Sequence, residues 1–404
     1  RAGVIYTLDG TATFGMRAGR YRLWAGRGFE YGLTETTFEL EAGASKEIAL
    51  KLRREVQTPG LVACDTHLHT HQFARHGDAS LVERLITIAG EGIELPISTE
   101  HDQHIDYTAE ANRIGAAKHF TPVLGCEVTT QLGHFNSFPI VAGSAPAQHQ
   151  LRPWPQIFEN IFATPGVRVA ILNHPRDLHA GFRPLDPAHF DAETGQFTDG
   201  RELKANGLEV INSGAQQSDP MQLVHDWMAL LRSGHKISAV GSSDSHTVNF
   251  AIVGQARTYL PCADDDPSQI DVDAAVDAFL SGKTHVSFGL LTLLERADDA
   301  ITVKVLGPGW TRASKLTLFV DGKTVDEITI PEAIGKNVGH KLEKTWSLVQ
   351  LGISGNERHF LVAVAEGPGI TEPWSRMMPP YQSNTPIYKP YVMGISPAVW
   401  LDAH

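Results

Sequence analysis

The chain has 404 residues, 42% hydrophobic and 20% charged, a folded-protein balance too long for one ordinary core, so two or three domains are expected. Its 34 basic and 46 acidic residues give a net charge of −12 with no basic run, which argues against a basic nucleic-acid-binding face, although local positive charge from metals is not in this count. No apolar stretch approaches the roughly 20 residues of a membrane-spanning helix, and the three cysteines, Cys64, Cys126 and Cys262, have neither metal-type spacing nor the number for a disulfide framework.

Residues 1 to about 60 alternate polar and apolar side chains in RYRLWAGRGFEY and SKEIALKLRRE, which predicts a small N-terminal antiparallel β-sandwich. From residue 61 to about 290, short apolar runs recur: GLVACDTH, ELPISTEHD, TPVLGCEV, HFNSFPIV, VRVAILNHP, GLEVINSG and KISAVGSSDSH. Amphipathic helices are expected between them. DASLVERLITIAGEG puts Leu81, Leu85, Ile88 and Ala89 on one face, with Asp78 or Ser80 as cap. DPMQLVHDWMALLRSGHK does the same with Leu223, Trp227, Leu230 and Leu231, between Asp219-Pro220 and Gly234. DVDAAVDAFLSGK repeats the device with Val272, Val276 and Phe279. Apolar strands alternating with such helices predict an α/β region whose parallel strands are buried on both faces. From 291 to 404 strands return in AITVKVLG, SKLTLFVDGKTV and HFLVAVAEG, with Asp321-Gly322 as a hairpin turn. A C-terminal β-sandwich with a Pro- and Tyr-rich tail is expected, and both β regions most simply act as scaffold or lid. The chain starts at Arg1 rather than Met. That is compatible with a removed leader and a periplasmic or secreted location, and otherwise with the cytoplasm; compartment and oligomeric state stay open.

Fifteen of the 19 histidines fall between His67 and His246. Nearly every apolar run there finishes in a metal-type residue: LVACD runs into His67 and His69, LPISTE into His101 and Asp102, PVLGC into Glu127, VAILN into His174, and ISAVGSS into Asp244 and His246. In a closed parallel sheet the strand C-termini share one rim, so residues far apart in sequence can meet. His67 and His69, two apart, share one face of a strand. Imidazoles and carboxylates are ligands that zinc, manganese or iron accept, and Glu127 can bridge two cations. His134 opens the next strand and is expected at the rim only if that hairpin folds over the barrel mouth. His104 is a candidate proton donor, substrate contact or surface residue. Arg176 and Arg183 follow NHP and suit either an anion clamp or plain surface solvation. His119, His149, His179, His189, His225 and His235 carry no motif and read as ordinary; Cys64 and Cys126 read as small core residues.

DTHLH, STEHD, GCEVTTQLGHF, NHPR and GSSDSH, in this order, resemble the motifs of the PHP (polymerase and histidinol phosphatase) family of metal-dependent hydrolases. The resemblance covers roughly 61–290, and GHFNSFPI with the late SNTPIY looks closest to the branch that includes carbaryl hydrolase. It implies a distorted seven-stranded β/α barrel. It also implies that His67, His69, Glu127 and Asp244 hold one ion and Glu127, His134 and His174 a second. A third would use His101, His246 and one residue for which a count back from Ser80 lands on His76, with Asp78 the near alternative; His71 fits neither count. Glu100 stands where that family more often has Asp, which puts its supporting role in doubt. The implied activity is hydrolysis of a small-molecule substrate by a water activated between two or three divalent ions (Zn, Mn or Fe), Asp244 or a histidine such as His104 moving the proton. A phosphoester is favoured slightly over a carbamate, ester or amide. A metal-containing binding protein is the rival from another class. A polymerase-associated exonuclease is disfavoured, because the chain shows neither a polymerase segment nor a basic groove.

Overall fold

The computed structural model describes residues 3–150, 153–353, 357–370, 372 and 391–401. The SNTPIY motif and most of the expected Pro- and Tyr-rich tail lie outside the described residues. The first regular element is a two-stranded antiparallel ribbon, Gly19–Ala25 (β1) against Thr34–Leu40 (β2). The sandwich expected over residues 1–60 is therefore not observed. The apolar positions of the ribbon reach only intermediate burial, and SKEIALKLRRE forms no strand, its regular contact being a single bridge from Arg54 to Tyr31.

The central region runs Leu61–Leu68 (β3), His71–Ala74 (α1), Leu81–Gly90 (α2), Leu95–Ser98 (β4), Thr108–Arg113 (α3), Val123–Leu124 (β5), Cys126–Thr130 (β6), Gly133–Phe138 (β7), Trp154–Ala163 (α4) and Val169–Leu172 (β8). It continues through a small ribbon, Phe190–Asp191 (β9) with Gln196–Phe197 (β10), to Gly207–Asn212 (β11), Pro220–Arg232 (α5), Ser238–Ser242 (β12), Arg257–Pro261 (β13), Val272–Leu280 (α6) and His285–Phe288 (β14). The helices start where side chains can cap them. Ser80 and Glu83 form a capping box at α2, and Asp219 and Asp271 accept backbone N–H groups at α5 and α6. Strands β3–β4–β5 and β8–β11–β12 pair in parallel, while β7 runs antiparallel to both β6 and β8.

These ladders do not close into the expected seven-stranded barrel. β12-β11-β8-β7-β6 make one sheet, while β3, β4 and β5 belong to another. The two sheets meet through single parallel bridges, Leu68 with Ser245 and His101 with Glu127. At the first seam a side chain stands in for a ladder: Asp65 accepts the N–H of Ser243 at 3.0 Å and that of Gly254 at 2.7 Å. Between the sheets, at the strand starts, an apolar cluster of Val62, Cys64, Leu95, Val123, Val169 and Val240 is covered by Val276 and Phe279 of α6. Metal-type side chains occupy the strand ends above it.

The remaining strands are Leu291–Ala297 (β15), Ala300–Gly307 (β16), Lys315–Val320 (β17), Lys323–Thr329 (β18), Gly339–Ser347 (β19), His359–Pro368 (β20), Tyr391–Ile395 (β21) and Val399–Leu401 (β22), with a short helix at Glu332–Gly335 (α7). Asp321 and Gly322 both have positive φ, 51° and 76°, and turn β17 into β18 as the sequence predicts. Two β layers are present here, β15–β16–β19 facing β18–β17–β20–β21 across a shared core that includes Val303, Val305, Leu318 and Val364. The second layer does not stand apart: β21 pairs with β14, so one sheet runs from β18 to β5.

Candidate metal centre

β3 carries a register break between Asp65 and Leu68. Before it Val62 and Cys64 join the inter-sheet cluster; after it Leu68 packs on α2 and α3 instead. The break reverses the strand's alternation, a known use of irregular pairing, and it turns His67 and His69 inward. Both are fully buried. His67 Nε2 lies 3.4 Å from Glu127 Oε1 and 3.4 Å from Asp244 Oδ1; His69 Nε2 lies 3.4 Å from Glu127 Oε2 and 3.4 Å from Asp244 Oδ1. Three further histidines surround Glu127. His101 Nδ1 is 2.7 Å from Oε2, His134 Nδ1 is 3.1 Å from Oε1, and His174 Nε2 is 3.6 Å from Oε1. His246 stacks on His69 with ring centroids 4.1 Å apart and places Nδ1 3.4 Å from Asp244.

The rim positions expected for His67, His69, His101, Glu127, His134, His174, Asp244 and His246 are thus brought together. His134 needs no hairpin folded over a mouth: β7 returns antiparallel, so its first residues lie beside the last residues of β6. His76 stacks on His246 at 4.2 Å and stands 5.6 Å from His101, whereas Asp78 accepts the Val248 N–H at 2.9 Å. His76 is accordingly the one of that pair beside the cluster; His71 is exposed at the start of α1. Glu100 accepts from Thr70 at 2.6 Å and Tyr107 at 2.7 Å, and its other oxygen is 4.0 Å from His69 Nδ1. That separation is too long for a hydrogen bond, and neither atom has a hydrogen-bond partner.

Two expected catalytic residues stand elsewhere. Arg176 is buried and bidentate to Asp226, with Nη2 2.8 Å from Oδ1, so its guanidinium is committed and cannot clamp a substrate. His104 faces the Ser144 carbonyl at 2.9 Å and, among the described residues, makes no ring or ion contact with the cluster. Arg183 pairs with Asp186 at 3.2 Å.

Four contributors were not read from the sequence. Glu209, buried in β11, accepts His67 Nδ1–H at 2.7 Å, the His174 N–H at 2.7 Å, Asn212 Nδ2 at 3.0 Å and the Ser242 hydroxyl. Asn173 donates to Glu127 at 3.0 Å, and Asn212 to Asp244 at 3.1 Å. His179 stacks on His174 at 4.0 Å. A signal existed for the first: an acid inside GLEVIN, an otherwise apolar run, needs a partner.

Burial opposes charge throughout the centre, and neighbours decide each outcome. It disfavours a charged His67, yet Asp244, Glu209 and Glu127 together hold the pKa well above the usual range. It lowers His69 strongly, with His246 and His101 adding to the effect. Glu127 and Asp244 stay well below ordinary carboxylates because surrounding imidazoles outweigh burial. Non-glycine residues with positive φ in or beside the centre include Asp102 at 53°, His174 at 29° and Asp244 at 48°, strain of the kind that collects at functional sites.

The donor set fits divalent ions. Buried atoms with no hydrogen-bond partner include His67 Nε2, His69 Nδ1 and Nε2, His179 Nε2 and His246 Nε2. Orphaned polar atoms are costly unless something satisfies them. Three groups have ligand atoms all within 4.8 Å of one another: His67, His69 and Asp244; His69, His101 and His246; His134, His174 and His179.

No protein-family model matches the chain, and no curated protein does. Among solved structures the chain is similar to a two-domain protein of Bacteroides vulgatus ATCC 8482 containing a predicted PHP-like metal-dependent phosphoesterase. The identity is 16% over 74% of this chain and 90% of that one, with a TM-score of 0.42. So loose a likeness carries no argument about chemistry, which rests on the residues themselves. No helix among the described residues is long and apolar enough to cross a membrane.

Proposed function

We propose that the chain is a metal-dependent hydrolase of PHP type acting on a small-molecule phosphoester. The observation that supports it is the convergence of imidazole atoms on Glu127, with buried nitrogens of His67 and His69 left without a hydrogen-bond partner. Ions bound there would bring the pKa of coordinated water towards neutrality and offset negative charge growing on the substrate. Glu127 turns Oε1 towards His67, His134 and His174 and Oε2 towards His69 and His101, so each oxygen could serve a separate ion. Glu209 accepts the Nδ1 proton of His67, which leaves Nε2 free to face Glu127 and Asp244. Asp244, fixed by Asn212 and within 3.4 Å of His67, His69 and His246, would move the proton.

Elemental analysis of the purified protein at known concentration should return two to three equivalents of divalent metal. A panel of phosphodiester, phosphomonoester, aryl ester and carbamate substrates with added Mn²⁺ or Zn²⁺ should show phosphoester turnover. Activity on esters or carbamates alone would move the substrate to a C–O or C–N bond, and bound metal with no turnover would favour a binding role. Glu127→Ala should abolish turnover while circular dichroism stays that of a folded chain. A wild-type rate in that variant would end the proposal.

A further inference from the structure

We propose that His179 is a metal ligand and completes a three-imidazole seat with His134 and His174, one that prefers zinc to manganese and fastens the turn at 178–183 to the ion. The inference rests on reading the cluster as a metal centre and adds to it a residue that no motif marks. Its first support is position. The His179 ring stacks on His174 with centroids 4.0 Å apart and lies 5.2 Å from His134, and the ligand atoms of the three histidines fall within 4.8 Å of one another. The second is an unmet need: His179 Nε2 is buried with no hydrogen-bond partner.

The third support is the inverted polarity of the turn. Its backbone is closed by His179 N–H to the Phe182 carbonyl at 3.0 Å and Phe182 N–H to the His179 carbonyl at 2.9 Å, with Ala180 and Gly181 both at positive φ, 50° and 81°. This geometry sends Leu178 outward, 52% exposed, and the imidazole inward against two other imidazoles. Hydrophobic burial alone would choose the opposite arrangement. A cation held between the three imidazoles would offset the exposure of Leu178. The chemistry follows from the donors: nitrogen-rich seats favour zinc over manganese, which is better matched to carboxylate and water. Glu127 Oε1 faces both seats, so the difference lies in the remaining donors: three imidazoles here, against two imidazoles and the Asp244 carboxylate in the His67, His69 and Asp244 group.

The test uses the full chain, stripped by a chelator and titrated separately with Zn²⁺ and Mn²⁺ against a competing indicator. In the wild type one equivalent should bind Zn²⁺ more tightly than the rest and reject Mn²⁺. His179→Ala should weaken that single equivalent by at least about tenfold, narrow its Zn²⁺ preference and raise the rate of proteolysis within 178–183, while the other equivalents bind as before and so report an intact fold. Unchanged affinity and selectivity in a variant that still binds metal would overturn the assignment of His179 alone. Loss of every equivalent would overturn it too, since one seat would then not be separable. A wild-type chain that binds no metal would instead overturn the metal-centre reading beneath it.

Discussion

His67 is gripped from two sides. One ring nitrogen gives its proton to Glu209, which leaves the other to face Glu127 and Asp244. Replacing the charge but not the shape, as in Glu209→Gln, should weaken metal binding about 10- to 100-fold. Competition with a chelating indicator measures this, and an unchanged affinity would deny Glu209 its positioning role. Arg176 makes the opposite kind of prediction. Its partner Asp226 is buried, and burial lifts that carboxyl even though Arg176 pulls it down. Arg176→Met strands Asp226 without a counter-charge and should cost about 3–5 kcal/mol of stability in a denaturant titration. KM should hold steady, because the guanidinium never reaches the centre. The residues that sequence reading found were those with a motif around them. Glu209, Asn173, Asn212 and His179 were missed because their work is defined by what lies across the fold, and nothing local distinguishes a supporting acid or a lone imidazole from an ordinary one.

At the level of strands and helices, Glu94 links β4 to β3 by accepting the Ala63 N–H at 2.9 Å. Burial first of all raises its carboxyl from the ordinary 4.5 to about 7. A folded-state pKa above the unfolded one means the native chain holds this proton longer, so stability is greatest below the unfolded value and declines as pH climbs through about 7. Glu94→Gln keeps an acceptor for Ala63 and removes the titration. It should be the more stable protein by about 2 kcal/mol above neutrality and no different near pH 4, as thermal melts across pH would show. Parallel curves for the two proteins would refute the cause assigned. Element type was legible where the pattern was strong. The capped helices α2, α5 and α6 lie over the segments their apolar faces marked, and the Asp321-Gly322 turn is where its chemistry put it. Closure was not legible, because apolar runs report burial on both faces but not which edges meet. The antiparallel course of β7 and the side-chain stitch by Asp65 belong to pairing, and pairing leaves no periodic trace in one strand's sequence.

For the molecule as a whole, the centre is a concentration of desolvated donors that folding must bury. Ions that bind the native state and not the unfolded chain add stability by mass action, roughly 4 kcal/mol at a thousandfold excess over Kd. Removing them with a chelator should lower the melting temperature by several degrees and restoring them should recover it, which calorimetry can follow. Verified loss of metal with no shift in melting would mean the fold draws nothing from the centre. The pairing of β14 with β21 reaches beyond the chemistry. Anyone hoping to isolate the histidine-bearing portion by ending the chain after Phe288 would leave a bare flank of unsatisfied amides along β14, a template on which other copies could dock edge to edge. The trailing third of the polypeptide is therefore a sealant on that edge, and a chain ended there should self-associate.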